Sequence, residues 1–113
     1  MKENVVVNKS IEFALKIITY CELLEDKRKY VIAKQLLKSG TSIGANVHEA
    51  QNAESKADFI HKIKIAAKEV DETKYWLILC ERSNTYPFDE ALKSMINELG
   101  LIIYKIISSS KKR

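Results

Sequence analysis

The chain has 113 residues, 46% of them hydrophobic and 30% charged, with one proline, three glycines and two cysteines. That length and balance fit one globular domain, 1–113, whose core needs neither disulfide nor metal support, and they exclude collagenous, linker-like and turn-rich β architectures. Nineteen Lys and Arg against fifteen Asp and Glu leave a net charge of +4, a bias that permits nucleic-acid contact without requiring it.

No window reaches the roughly 18 apolar residues of a membrane span, so the expectation is a cytoplasmic protein without membrane contact. Apolar residues at helical spacing predict a first helix over about 5–24, with Val6, Phe13, Ile17, Tyr20 and Leu24 in one stripe. Ala14, Leu15, Ile18 and Cys21 widen that stripe. After a charged connector at 25–29, a second helix over 29–52 carries Tyr30, Ala33, Leu36, Ile43, Val47 and Ala50. Ser55-Lys56-Ala57-Asp58 has the form of a capping box and opens a third helix over 56–82, lined by Phe59, Ile63, Ala66, Val70, Leu77 and Cys80. Pro87 suits the first turn of a fourth helix over 88–108, with Phe88, Leu92, Ile96, Leu99 and Ile103 on its core face. Four such helices on short connectors predict an all-α, antiparallel up-and-down four-helix bundle. Cys21 and Cys80 lie on apolar helical positions without a CxxC and read as small core residues.

The segment Gln35-Leu36-Leu37-Lys38-Ser39-Gly40-Thr41-Ser42-Ile43-Gly44-Ala45-Asn46 sets two glycines four apart inside the second helix. A glycine in a helix interior costs about 1 kcal/mol against alanine. Close approach of another backbone offsets that cost, since Ser39, Gly40, Gly44 and Ala45 leave a shallow groove on the helix. The neighbour filling it is either another helix of the bundle or a second subunit. A turn at Ser39-Gly40 is the alternative to a continuous helix.

Three catalytic patterns are mimicked here, and each fails on context. Gly40-Thr41-Ser42-Ile43-Gly44 matches the G-x-S-x-G nucleophile elbow, which works on a strand-to-helix turn above a parallel sheet that this sequence does not supply. His48-Glu49 begins like the zinc-protease helix, but its second histidine position holds Asn52. A di-iron bundle needs two Glu-x-x-His pairs, and the nearest element is a single Asp58-x-x-His61. No cofactor, metal or enzymatic activity is expected. His48 and His61 read as exposed or rim residues.

The third helix carries a second stripe of Asp58, Lys62, Ile65, Glu69, Glu72, Trp76 and Leu79. It reads as a solvated edge or as an interface in which Trp76 beside Tyr75 resembles an aromatic anchor, the latter favoured because the Gly40/Gly44 groove needs a partner. Positive charge clusters at Lys27, Arg28, Lys29, Lys34 and Lys38, and again at Lys105, Lys111, Lys112 and Arg113. These are candidate nucleic-acid contacts.

The segment QLLKSGTSIGANVHEA followed by SKADFIHKIKIAAKEVDETKYWL resembles the signature of small bacterial four-helix-bundle proteins. These were first known from reading frames in intervening sequences of the large-subunit ribosomal RNA gene and are often labelled ribosomal S-twenty-three-like. The strong match spans about 35–79. The pattern falls on Ser39, Gly40, Ser42, Gly44, Asn46 and Glu49 in the second helix, then Ala50, Asp58, Phe59 and Lys68. Further along it takes Glu69, Glu72, Tyr75 and Trp76. The resemblance implies an up-and-down bundle that assembles as a homo-oligomer, a pentameric ring, with no catalytic activity. The chain is also distantly similar to the accessory variability protein of diversity-generating retroelements, a basic pentameric barrel that binds nucleic acid and a reverse transcriptase. The expected function is therefore a non-enzymatic, homo-oligomeric accessory factor that binds RNA or DNA through basic faces. The alternative is a protein-interaction scaffold with no nucleic-acid role.

Overall fold

A computed structural model describes residues 4–111. They form α1 (Val5–Asp26), α2 (Tyr30–Ala50), α3 (Lys56–Arg82) and α4 (Glu90–Lys111). Each helix packs on its neighbour in the chain and α1 also packs on α4, whereas the backbones of the diagonal pairs α1/α3 and α2/α4 lie farther apart. This is the up-down-up-down arrangement, 47 × 22 × 22 Å overall.

The core follows from the apolar stripes. Phe13, Ile17 and Leu24 of α1, Leu36, Ile43 and Val47 of α2, Ile63 and Val70 of α3, and Leu92, Ile96, Leu99 and Ile103 of α4 are buried. Each such side chain contributes about 1.5–3 kcal/mol, so packing outweighs any single helix cap at ~1 kcal/mol. Two residues expected to widen the α1 stripe lie outside this core: Leu15 is 60% and Ile18 40% exposed. Their positions fall on the side of α1 opposite its buried stripe, where no helix of the bundle reaches.

Local chemistry sets the helix ends and corrects several expected boundaries. Asn4 caps α1 by accepting from the Val7 N–H at 3.2 Å, and its amide donates to Gln51 at 2.8 Å, tying the start of α1 to the end of α2. α1 continues to Asp26 instead of stopping at 24 and closes in a Schellman arrangement, with the Lys29 N–H on the Leu24 carbonyl and the Arg28 N–H on the Glu25 carbonyl, both 2.8 Å. Arg28 holds the left-handed position that glycine usually fills, at φ 63°. α2 spans Tyr30–Ala50, shorter than the expected 29–52, and runs unbroken through Ser39-Gly40, which excludes the turn. The α3 cap is as read from sequence on one side: Ser55 Oγ accepts from the Asp58 N–H at 3.0 Å. The return contact is shifted by one residue, Asp58 accepting from the Glu54 N–H at 3.1 Å.

The fourth helix starts at Glu90, not at 88, so Pro87 precedes it. Two contacts hold the preceding segment out of the helix. Asp89 accepts from the Ala91 N–H at 3.0 Å in a capping geometry, and the Pro87 carbonyl accepts from the Tyr20 hydroxyl at 2.6 Å, fastening this connector to α1.

Candidate functional site

The candidate residues distribute over two faces of α2, which meet different partners. Gly40 and Gly44 are buried and look onto α1. A Cβ on Gly40 would lie 3.0 Å from both Cγ1 and Cγ2 of Ile17, and one on Gly44 would lie 3.3 Å from Ser10 Oγ. No glycine has a positive φ, so these two are here for closeness and not for a turn. The groove read from sequence is thus filled by α1 of the same chain. Ser10 is itself fully buried and donates to the Val7 carbonyl at 2.8 Å, which keeps a polar atom satisfied at the contact.

The opposite edge of α2 faces α3 and is polar. Ser39, fully buried, accepts a 2.9 Å hydrogen bond from the Thr73 hydroxyl, a buried side-chain pair that links two helices. Further along, Lys62 bridges to Glu49 at 3.0 Å. Glu69 and Glu72 border the same seam. Partial burial, reinforced by the neighbouring Glu72, raises the Glu69 carboxyl above its ordinary pKa, while Lys38 on α2 acts in the opposite direction. Trp76 is half-buried, packs against the core and donates from Nε1 to Glu72 at 3.2 Å. Its neighbour Tyr75 is 54% exposed, and the two rings meet edge-on with centroids 5.2 Å apart.

Ser42 and Asn46 spend their polar groups within α2: the Ser42 hydroxyl donates to the Lys38 carbonyl at 2.6 Å, and the Asn46 amide donates to the Ser42 carbonyl at 2.9 Å. A serine held this way in mid-helix has no general base beside it, in contrast to a nucleophile at a strained turn. His48 Nδ1 lies 3.0 Å from the Gly44 carbonyl, likewise within α2. Both cysteines are buried, and burial pushes both thiols up, that of Cys21 to about 12, the reverse of what thiolate chemistry requires. Among the described residues no three His, Cys, Asp or Glu side chains gather in a way that would hold a metal.

The basic candidates do not converge. Lys27, Arg28 and Lys29 occupy the α1–α2 connector, where Lys29 Nζ sits 5.3 Å from the Tyr86 ring of the α3–α4 connector. Lys34 and Lys38 continue from there along exposed positions of α2. Lys111 closes α4 and lies at the other end of the bundle, about 33 Å away along a 22-residue helix. Lys105 lines a cleft of about 550 Å³ at that end with Lys56, Phe59, Ile102 and Ile106. Lys112 and Arg113 lie outside the described residues.

Thr73 and Ser10 are the polar residues that sequence reasoning passed over. Both sit on the apolar stripe of their helices, Thr73 between Val70 and Leu77 and Ser10 between Val6 and Phe13. A lone hydroxyl residue in a core stripe is the signal that marks them.

The model of the 23S rRNA-intervening sequence protein family matches residues 2–108. The chain belongs to this family. A solved structure gives the same result: a protein with unknown function from the S23 ribosomal protein family of Bacteroides thetaiotaomicron VPI-5482 is 43% identical. It superposes with a TM-score of 0.85 over 90% of this chain and 97% of that one. No curated protein is significantly similar. Neither description assigns the intervening-sequence proteins an enzymatic activity. Among the described residues, no helix of this intervening-sequence protein is long and apolar enough to cross a membrane.

Proposed function

We propose that this intervening-sequence protein is a non-enzymatic homo-oligomer, pentameric as its resemblance implies, that binds nucleic acid through basic faces as an accessory factor. The observation that carries the reading is a set of cations without acidic partners. The ion pairs among the described residues engage Lys9, Lys16, Lys62 and Lys93. Lys27, Arg28 and Lys34 take part in none of them, and they follow one another from the tip of the bundle onto α2. Cations left free of carboxylates are available to displace the counterions of a phosphate backbone. The family description, which names the 23S rRNA intervening sequence, makes RNA the first ligand to examine. A protein partner such as a reverse transcriptase is a further candidate on the distant likeness to the accessory variability protein.

A filter-binding titration over a salt series tests this. The expected result is retention of RNA at low salt that weakens steeply as salt rises, with a shallower slope for a Lys27→Glu, Arg28→Glu, Lys29→Glu triple variant. Absence of retention at low salt, or retention insensitive to salt, would remove the electrostatic mechanism and leave the protein-interaction scaffold.

A further inference from the structure

We infer that copies of this chain join head to tail, the outward face of α1 on one copy seating on the outward face of α3 of the next. The inference rests on the homo-oligomer reading above and supplies its contact. The outward face of α1 carries Ile11, Leu15 and Ile18, which are 42%, 60% and 40% exposed. The same helical spacing continues through Glu22 and Glu25. Lys9 and Lys16 turn away from it, to Glu98 of α4 and to Asp89 just before α4.

The outward face of α3 has the complementary character. Tyr75 and Leu79 are exposed there, at 54% and 37%, in one row with Lys64, Lys68 and Arg82. These three cations enter no ion pair among the described residues. The two acids that interrupt the row are already engaged, Asp71 by the Tyr104 hydroxyl and Glu72 by Trp76. Apolar residues rimmed by acid on one helix therefore correspond to apolar residues rimmed by base on the other. An α1 face against its own copy would gather acids, which disfavours a symmetric pairing.

Geometry adds a register. α1 and α3 run in the same direction on opposite corners of the bundle, so one copy offers its two faces to two different neighbours without reversing either. Ile17 lies against Gly40 and Thr73 bonds the adjacent Ser39, which sets Ile17 and Thr73 at the same height. Counting upward along both helices, Ile18 comes near the height of Tyr75 and Glu25 near that of Arg82, each within about two residues, or 3 Å. Side-by-side copies at about equal height thus bring one apolar pair, Ile18 with Tyr75, and one acid–base pair, Glu25 with Arg82, toward each other. A contact of this kind is heterologous and closes into a ring when its rotation allows.

Two variants blocked on one face each test the inference by sedimentation. Leu15→Lys with Ile18→Lys alters the α1 face, and Tyr75→Lys with Leu79→Lys alters the α3 face. Each alone is expected to be a monomer of the 13.0 kDa chain, and an equimolar mixture a heterodimer of twice that mass, since one intact face of each kind remains. Persistence of the unaltered assembly in either variant, or a mixture that stays monomeric, would overturn the contact. Should the lysine variants fail to fold, Glu25→Arg and Arg82→Glu serve instead: each alone weakens the assembly and the two in one chain restore it. An unaltered chain that sediments as a monomer would instead overturn the oligomer reading itself.

Discussion

Helix α2 has two seams built from different chemistry. Against α1 it presents Gly40 and Gly44, and the contact is short and lined by Ile17 and Ser10. Against α3 it presents Ser39 and Glu49, and the contact is made by a buried hydroxyl pair and an ion pair with Lys62. Small residues set how near two helices lie, whereas a directional hydrogen bond sets where along its length one helix stops against the other. The most recognisable stretch of the sequence is thus divided between distance on one side and register on the other. Both tasks are internal to the chain, which directs the search for partners to the outward faces of α1 and α3 and to the basic tip.

The largest expected effect comes from breaking the close seam. Gly44→Leu drives a branched side chain into Ser10 and is expected to cost about 3 kcal/mol or more, or to abolish folding, read as loss of the thermal transition by circular dichroism. On the polar seam, Thr73→Val keeps the shape and removes the donor to buried Ser39. The expected loss is about 1–2 kcal/mol, with part of it recovered when Ser39→Ala is added. Denaturant melts of the two single variants and the double variant check this.

Much of the bundle is legible in the sequence because three–four spacing marks which side of each helix is apolar. The stripes of Phe13, Ile17 and Leu24 or of Leu92, Ile96 and Leu99 are buried as their spacing predicts. Spacing gives a face and not a partner, however, so the neighbour of Gly40 is not written in the pattern, nor is the separation of the two basic clusters by the length of the bundle. Pro87 illustrates a different limit. Proline is compatible with both a first helical turn and the residues before it, and a long-range bond from Tyr20 decides between them. Leu15 and Ile18 show a third: an exposed apolar row has the same spacing as a buried one.

Smaller effects refine the comparison at the edges of the two seams. At the turn that closes α1 onto α2, Arg28→Gly relieves a left-handed residue and is expected to stabilise by roughly 0.5–1 kcal/mol, measured as a rise in the urea midpoint at constant slope. At the α2–α3 edge, the pKa of Glu69 is raised in the folded chain above its unfolded value. The protonated carboxyl is therefore the form favoured by folding, and the stability it contributes is full below the unfolded pKa and lost as pH rises through the folded one. Glu69→Gln is expected to raise the melting temperature slightly at pH 7 and to leave it unchanged below about pH 4. A pH series of melts on both proteins resolves the difference.

The division of α2 into a distance seam and a register seam is tested most directly at Gly40, by a double-mutant cycle with Ile17 read from denaturant melts. In the unaltered background Gly40→Ala is expected to destabilise, because the added methyl meets two Ile17 carbons at 3.0 Å and the clash outweighs a helix-propensity gain of about 1 kcal/mol. In an Ile17→Ala background, where those carbons are gone, the same substitution is expected to stabilise, giving a coupling of at least ~1 kcal/mol. Equal effects of Gly40→Ala in the two backgrounds would contradict the account and place the partner of the glycine groove elsewhere.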